Sequence, residues 1–201
     1  MHISDGVLSI YVVGTGWAIA LPALAISVRC LRADQVGAYG VLAAAFFAGS
    51  TIHVPVGPFS MHLVLSGIAG LLLGWEALTI VTVGLLLQAL FIGFGGLTVL
   101  GVNISIMAFP GAIMGVLGRR WIKQASPKKR PWIGSLAGGG TILISALLLY
   151  VTLSTTHTAL IPLARLVFLG HIPVAIVEGV IGFWLVHFLQ KVKPSLLGIS
   201  T

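Results

Sequence analysis

The chain has 201 residues, of which 58% are hydrophobic and 7% are charged, and its mean hydropathy is +1.12. Because soluble domains carry about a quarter charged residues, this composition excludes a water-soluble fold and predicts an integral membrane protein. The formal net charge is +7, but the basic residues lie at the ends of apolar runs, which favours membrane topology over nucleic-acid binding. The single cysteine, Cys30, excludes an internal disulfide and a thiolate cluster.

Seven apolar runs follow one another along the chain and predict an all-α, polytopic integral membrane helical bundle. A span needs about 20 apolar residues, so six to seven spans would use most of a single domain over residues 1–201. The 26 glycines indicate close helix packing in lipid. The predicted spans cover about 7–28, 36–54, 62–74, 77–93, 104–118, 133–153 and 166–188, the third being short.

The distribution of basic residues predicts the orientation of the bundle. Cytoplasmic loops collect Lys and Arg. With an external N-terminus, seven crossings place ten of the eleven basic residues inside and only Arg165 outside. We therefore predict an external N-terminus, a cytoplasmic C-terminus and a cytoplasmic basic connector at 119–130. The opening residues lack the basic region of a cleavable signal, so Met1 is expected to remain the first residue.

The first two residues can chelate a metal ion. The α-amine of Met1, the backbone nitrogen of His2 and the ring Nδ1 of His2 close a five-membered and a six-membered chelate ring. Such a set needs a deprotonated amide, which favours Ni²⁺, Cu²⁺ or cobalt, and planar nitrogen ligands indicate tetragonal geometry rather than tetrahedral zinc. The alternative is a frayed chain end with an incidental histidine.

A fourth ligand would come from the outer ends of the spans. His53, His62 and His171 all lie there, and ionisable residues near membrane depth are rare and indicate function. The alternative for each is a satisfied interfacial anchor, which is the interpretation we favour for His157 and His187.

Three further polar residues are candidates for supporting the site. Glu178 lies inside a predicted span, seven residues after His171, so both point to one helix face. It could brace a ligand histidine or the N-terminal segment, or it could tie two helices together. Asp5 could fold the terminus inward or cap the first helix. The apolar loop 95–103 could pack over the cavity, with Asn103 bonding to backbone.

Four stretches together resemble the CbiM/NikM substrate-binding components of energy-coupling factor cobalt and nickel importers. The opening is similar to a family start of Met-His-Ile-x-Asp/Glu-Gly, and the second stretch to a Pro/Gly-rich segment that ends in His-Leu. The resemblance covers nearly the whole chain in the right order. The stretches are MHISDGVLS (1–9), VPVGPFSMHL (54–63), QAL with GGL and LGVN (88–103), and HIPVAIVEG (171–179).

The resemblance implies which atoms hold the ion. By it, Co²⁺ or Ni²⁺ is bound by the Met1 amine, the His2 amide nitrogen, the His2 ring and His62 in a near-planar arrangement. It selects His62 over His53 as the fourth ligand. The supporting candidates are then Asp5, His53, Asn103, His171 and Glu178.

The resemblance also implies partners and a location. The sequence contains no Walker-type phosphate loop, so ATP would be hydrolysed by separate cytoplasmic ATPase subunits joined through a transmembrane coupling subunit. A small accessory membrane subunit is common in the family. The chain would lie in a prokaryotic inner or plasma membrane, with the basic connector facing its partners or anionic lipid and with no nucleic-acid role.

Two functions of other classes compete with metal import. A membrane-embedded metalloenzyme could use His53, His62, His171 and Glu178, and it would need an open coordination position for an activated water. The sequence places no nucleophile beside a base, which weighs against the enzyme. A purely structural membrane partner would bind no metal.

Overall fold

A computed structural model describes residues 2–51, 53–56 and 59–199, and in these ranges it shows seven helices and one β-hairpin. Helices α5 and α6 each contain one π-helical turn, at Ile104–Ala108 and Leu136–Gly140. The elements are α1 Ile10–Cys30, α2 Val36–Thr51, β1 His53–Val56, β2 Phe59–His62, α3 Ser66–Leu73, α4 Ala77–Phe91, α5 Leu100–Gln124, α6 Arg130–Thr156 and α7 Ile161–Val192.

The long helices are those that the hydropathy of the sequence predicts. Five helical stretches in the described ranges are long and apolar enough to cross a membrane, and α2, with 16 residues, is a sixth apolar helix. Their outer faces expose large side chains such as Ile19, Leu147 and Ile176, as expected where lipid replaces water. The predominantly helical membrane architecture is therefore confirmed.

The third predicted span, 62–74, is wrong as a membrane-spanning helix. Helix α3 has only eight residues, roughly 12 Å of helix, and the chain before it forms the antiparallel hairpin in which His53 pairs with His62. Gly74, with φ +71°, then breaks the helix before α4. Hydropathy does not distinguish these forms, because non-helical backbone is tolerated at membrane depth where protein surrounds it.

Glycines let the central helices touch backbone to backbone. A Cβ added to Gly70 of α3 would lie 2.0 Å from the Gly111 carbonyl oxygen of α5, and one at Gly115 would lie 1.9 Å from the Gly70 carbonyl carbon. Helices α6 and α7 meet in the same way at Gly134 and Gly182. These contacts exclude any side chain and set the helix spacing around the hairpin.

Apart from Arg165, near the start of α7, the basic residues and the hairpin histidines lie at opposite ends of the bundle. A cavity of about 750 Å³ is lined by Arg32, Arg119 and Ser195, which brings the start of α2, the end of α5 and the C-terminal turn together. Asn103, beside the N-terminal segment, lies roughly 24 Å from Arg119 along α5. The bundle therefore has one basic end and one histidine-bearing end.

Candidate metal centre

The N-terminal segment is inserted into the bundle. Ile3 is 1% exposed, its N–H donates to Asn103 Oδ1 at 3.0 Å, and its carbonyl oxygen accepts from Asn103 Nδ2 at 3.1 Å. The Asn103 amide thus satisfies both backbone groups of Ile3, as a neighbouring strand would. Asn103 is in the first turn of α5 and not in a loop, so a rigid helix positions His2, one residue before Ile3.

Asp5 fastens the same segment to the loop before α5. Its Oδ1 accepts hydrogen bonds from Thr98 Oγ1 and from the Val99 N–H, the latter at 3.2 Å. Gly96 lies directly against this carboxylate, since an added Cβ would be 2.1 Å from Asp5 Cγ. Asp5 does not cap the first helix, because its carboxylate binds Thr98 and Val99 and α1 begins at Ile10 without a side-chain capping bond.

The rings of His2 and His62 meet in the interior. Their Nε2 atoms are 2.9 Å apart, the ring centroids are 4.8 Å apart, and His62 is 4% exposed. Burial lowers the pKa of His62 from 6.5 to about 3 and lowers the pKa of His2 well below 6.5. Both rings are therefore neutral near pH 7, the form in which imidazole binds a metal.

Hydrogen bonding determines which nitrogen of each ring carries the proton. The Nδ1 of His62 lies 2.9 Å from the Leu63 carbonyl oxygen, which can only accept, so Nδ1 is the donor and Nε2 has the free lone pair. His2 must then donate through its own Nε2, which leaves the lone pair of its Nδ1 free. Both rings have the tautomers that the predicted ligand set needs.

The contact between the two rings differs from the predicted ligand geometry in one respect. The lone pair of His62 Nε2 faces Nε2 of His2 and not Nδ1, the ring nitrogen that would close the chelate. One ion held by His2 Nδ1 and His62 Nε2 therefore requires that the His2 ring turn and the ring-to-ring hydrogen bond break.

His53 lies outside this pair. It is the cross-strand partner of His62, but it is exposed, and its Nδ1 lies 2.9 Å from the Thr51 carbonyl oxygen. Phe94 stands between it and the site: its ring centroid is 5.0 Å from that of His53, edge-on, and 6.0 Å from that of His2, stacked. The structure thus brings His62 to His2 and keeps His53 behind an aromatic ring.

Glu178 and His171 are buried on α7 beneath the hairpin. Glu178 is 0% exposed, and its Oε1 accepts from the N–H groups of Val64 and Leu65 at 2.5 and 2.9 Å. His171 is 1% exposed, and its Nδ1 lies 2.7 Å from the Val167 carbonyl oxygen. Glu178 thus contacts the segment that follows His62.

His187 lies at the other, basic end of α7, away from these residues. Its Nε2 is 3.1 Å from Lys191 Nζ.

Side chains alone do not form a metal site in the described ranges. No group of three or more His, Cys, Asp or Glu side chains there is placed to hold one ion. Met1, the other predicted contributor, lies outside the described residues.

Sequence reasoning missed several residues that build the site. Thr98 binds Asp5, Leu65 binds Glu178, and Trp17 Nε1 donates to the Thr98 carbonyl oxygen at 2.8 Å. These residues carry no signal of their own. The pair Gly95-Gly96 carries one, because adjacent glycines commonly indicate a close backbone approach.

These features define a polytopic membrane protein whose inserted N-terminal segment places a histidine against a buried histidine of the hairpin. The chain belongs to the CbiM family: the family model described as "Cobalt uptake substrate-specific transmembrane region" matches residues 2–196. The resemblance drawn from the sequence motifs is thereby confirmed.

Relatives and solved structures agree with this assignment. The chain is 37% identical to a Haemophilus influenzae protein described as a metal transport protein, over 98% of this chain and 97% of that one. It is 32% identical to "Cobalt transport protein CbiM" of Sorangium cellulosum, over 98% and 94%. A crystal structure of a transition metal transporter superposes with a TM-score of 0.82 at 26% identity, covering 96% and 93%. The relatives are transport proteins, so the metalloenzyme alternative is not supported.

Proposed function

We propose that this chain is the membrane component that captures Co²⁺ or Ni²⁺ at the outer face of a prokaryotic cell membrane for an ATP-driven importer. The observation that carries the proposal is the contact between His2, in the inserted N-terminal segment, and the buried His62, made by two neutral rings. Relatives named for cobalt transport and for nickel transport support the choice of ion.

In this proposal four nitrogens bind the ion. His2 contributes its backbone nitrogen and ring Nδ1, His62 contributes Nε2, and the Met1 amine completes the set. Planar nitrogen ligation suits Ni²⁺ and cobalt better than Zn²⁺ or Mg²⁺. Asn103 and Asp5 hold the segment in place, so the chain loses little further freedom when the ion binds.

The opposite end of the bundle would meet the partners. The family resemblance implies cytoplasmic ATPase subunits and a transmembrane coupling subunit, with a small accessory membrane subunit in some systems. The basic end presents Arg32 and Arg119 around an open cavity, together with the connector at 119–130. Positive charge there fits a cytoplasmic location next to these partners or anionic lipid.

The decisive experiment changes the amine without touching a side chain. Three residues, Gly-Ser-Gly, are added before Met1, so that no free amine lies within chelating reach of His2, and Ni²⁺ and Co²⁺ binding to purified protein is measured by calorimetry and visible absorption. We expect high-affinity binding to disappear, because the chelate ring through the amine cannot close. The same three-residue addition after Thr201 is the control. Unchanged affinity in the N-terminally extended protein would reject the proposed ligand set.

A further inference from the structure

Glu178 is a carboxylate in the middle of an apolar helix. It is fully buried, and in the described part of the chain Oε1 has hydrogen-bond partners and Oε2 has none. A buried carboxylate at membrane depth is costly, and such residues are usually functional. Its two partners are backbone N–H groups of the segment between β2 and α3. The carboxylate therefore holds a piece of main chain rather than another side chain.

That piece of main chain has an unfavourable conformation. Leu65 has φ 55° and ψ 12°, and it is the one non-glycine residue with positive φ among residues 2–51, 53–56 and 59–199. A bulky residue adopts this left-handed region only when its surroundings enforce it. Two consecutive N–H groups converge on one carboxylate oxygen, as in an anion nest, so Glu178 supplies that enforcement.

The same peptide unit orients His62. The peptide bond between Leu63 and Val64 makes two hydrogen bonds. Its carbonyl oxygen, from Leu63, accepts from His62 Nδ1, and its N–H, from Val64, donates to Glu178. Carboxylate, peptide and imidazole thus form one hydrogen-bonded chain, which ends at the lone pair of His62 Nε2. Hydrogen bonds in such a chain polarise one another, so an acceptor oxygen on the Val64 N–H makes the Leu63 carbonyl a stronger acceptor for the imidazole N–H.

We infer that Glu178 is the positioning residue of the metal site, acting on His62 through the peptide between Leu63 and Val64. It sets the ring orientation and keeps the proton on Nδ1, so that Nε2 is ready to bind. Through the same hydrogen bonds it connects His62 to α7, and the C-terminal end of α7 lies at the basic end of the bundle. A shift of α7 would withdraw the carboxylate and loosen His62. This inference rests on the proposed function.

The test compares a variant that keeps the length of the Glu178 side chain with one that keeps its charge. Glu178→Gln keeps an acceptor oxygen at the same reach, whereas Glu178→Asp keeps the charge and withdraws the oxygen by one methylene. We expect Glu178→Gln to bind Ni²⁺ within about threefold of the unaltered protein and Glu178→Asp to lose about 10- to 100-fold, the usual range for residues behind a metal ligand. Equal affinity of the two variants, or tighter binding by Glu178→Asp, overturns the inference.

A second readout needs no metal. In ¹⁵N-histidine-labelled protein, the ring shifts of His62 report its tautomer, with His62→Ala used for assignment. We expect the Nδ1–H form in the unaltered protein and in Glu178→Gln, and a mixture of tautomers in Glu178→Asp. Gln88→Ala is the control, because it removes a different buried hydrogen bond, from Gln88 Nε2 to Ser50 Oγ. It should leave the His62 tautomer unchanged. An unchanged tautomer in Glu178→Asp would also overturn the inference. If the unaltered protein bound no metal, the proposed function would fail while this test still stood.

Discussion

At the scale of single residues, the site depends on which histidine nitrogens face the interior. His62 is buried, and its Nε2 lone pair is directed at His2, whereas His53 is exposed and separated from His2 by Phe94. Both histidines belong to one hairpin, and they are directly paired in register. Sequence position alone therefore does not rank them, but burial and direction do.

We predict that His62→Ala abolishes high-affinity Ni²⁺ binding, because it removes a ligand nitrogen. His53→Ala should stay within about tenfold of the unaltered protein, the low end of effects from residues behind the ligands. Calorimetry on purified protein measures both, with His187→Ala at the basic end as the control. Loss of binding in His53→Ala together with a harmless His62→Ala would show that His53 is the ligand.

A second prediction concerns the glycine under the N-terminal segment. Gly96→Ala places a Cβ 2.1 Å from Asp5 Cγ, so the segment carrying His2 must shift. We expect at least about a tenfold loss of metal affinity, or about 1.4 kcal/mol, although no ligand is changed. Gly14→Ala in α1, where a Cβ meets nothing within 4 Å, is the matched control. Equal affinities of the two variants would contradict this role of Gly96.

At the scale of the elements, the short helix α3 determines where the hairpin sits. It packs against α5 with backbone in contact at Gly70, Gly111 and Gly115, and its first turn follows the segment held by Glu178. Van der Waals packing of small residues is a main source of helix association in lipid, where no hydrophobic force acts between helices. The crossing of α3 and α5 therefore supports the hairpin that carries His62, the proposed ligand.

We predict that Gly70→Ala destabilises the protein, because the new methyl group would lie 2.0 Å from the Gly111 carbonyl oxygen. Overpacking of this kind costs about 1–3 kcal/mol. The midpoint of thermal unfolding in detergent should fall. For Gly40→Ala in α2, where a Cβ meets nothing within 4 Å, it should stay the same or rise, since alanine favours helix. Equal midpoints would show that this contact relaxes without cost.

At the scale of the whole molecule, charge and chemistry are separated along the bundle axis. The basic connector and the C-terminal turn lie at one end, and the inserted N-terminal segment lies at the other. The charge rule for membrane proteins predicts that the basic end faces the cytoplasm and that the histidine pair lies at the outer face.

Labelling tests this orientation directly. In a Cys30→Ser background, Lys128→Cys at the basic end should resist an impermeant thiol reagent added to intact cells. Thr158→Cys, exposed before α7 at the other end, should react. Both should react after the membrane is permeabilised, which controls for buried thiols. Reaction of Lys128→Cys and not of Thr158→Cys in intact cells would reverse the topology.

Local sequence information predicts the lipid-facing helices of this protein but not its buried apolar segments. Hydropathy located the ends of α1, α2, α4, α5, α6 and α7 to within six residues, because each helix exposes apolar side chains to lipid. It failed at 62–74, where the apolar chain is extended first and helical only from Ser66. An apolar run buried in protein has the same composition as one exposed to lipid, so composition could not separate the two.

From the sequence alone follow the membrane class, the basic and histidine-bearing ends, and the residue types able to hold a metal, since all of these depend on composition and local spacing. Only the tertiary structure decided that His2 meets His62, that Asn103 and Asp5 fix the N-terminal segment, and that Glu178 holds the peptide beside His62. These contacts join residues 60 to 114 positions apart. Their geometry depends on how helices cross and where the backbone bends, and the local pattern of the chain does not encode it.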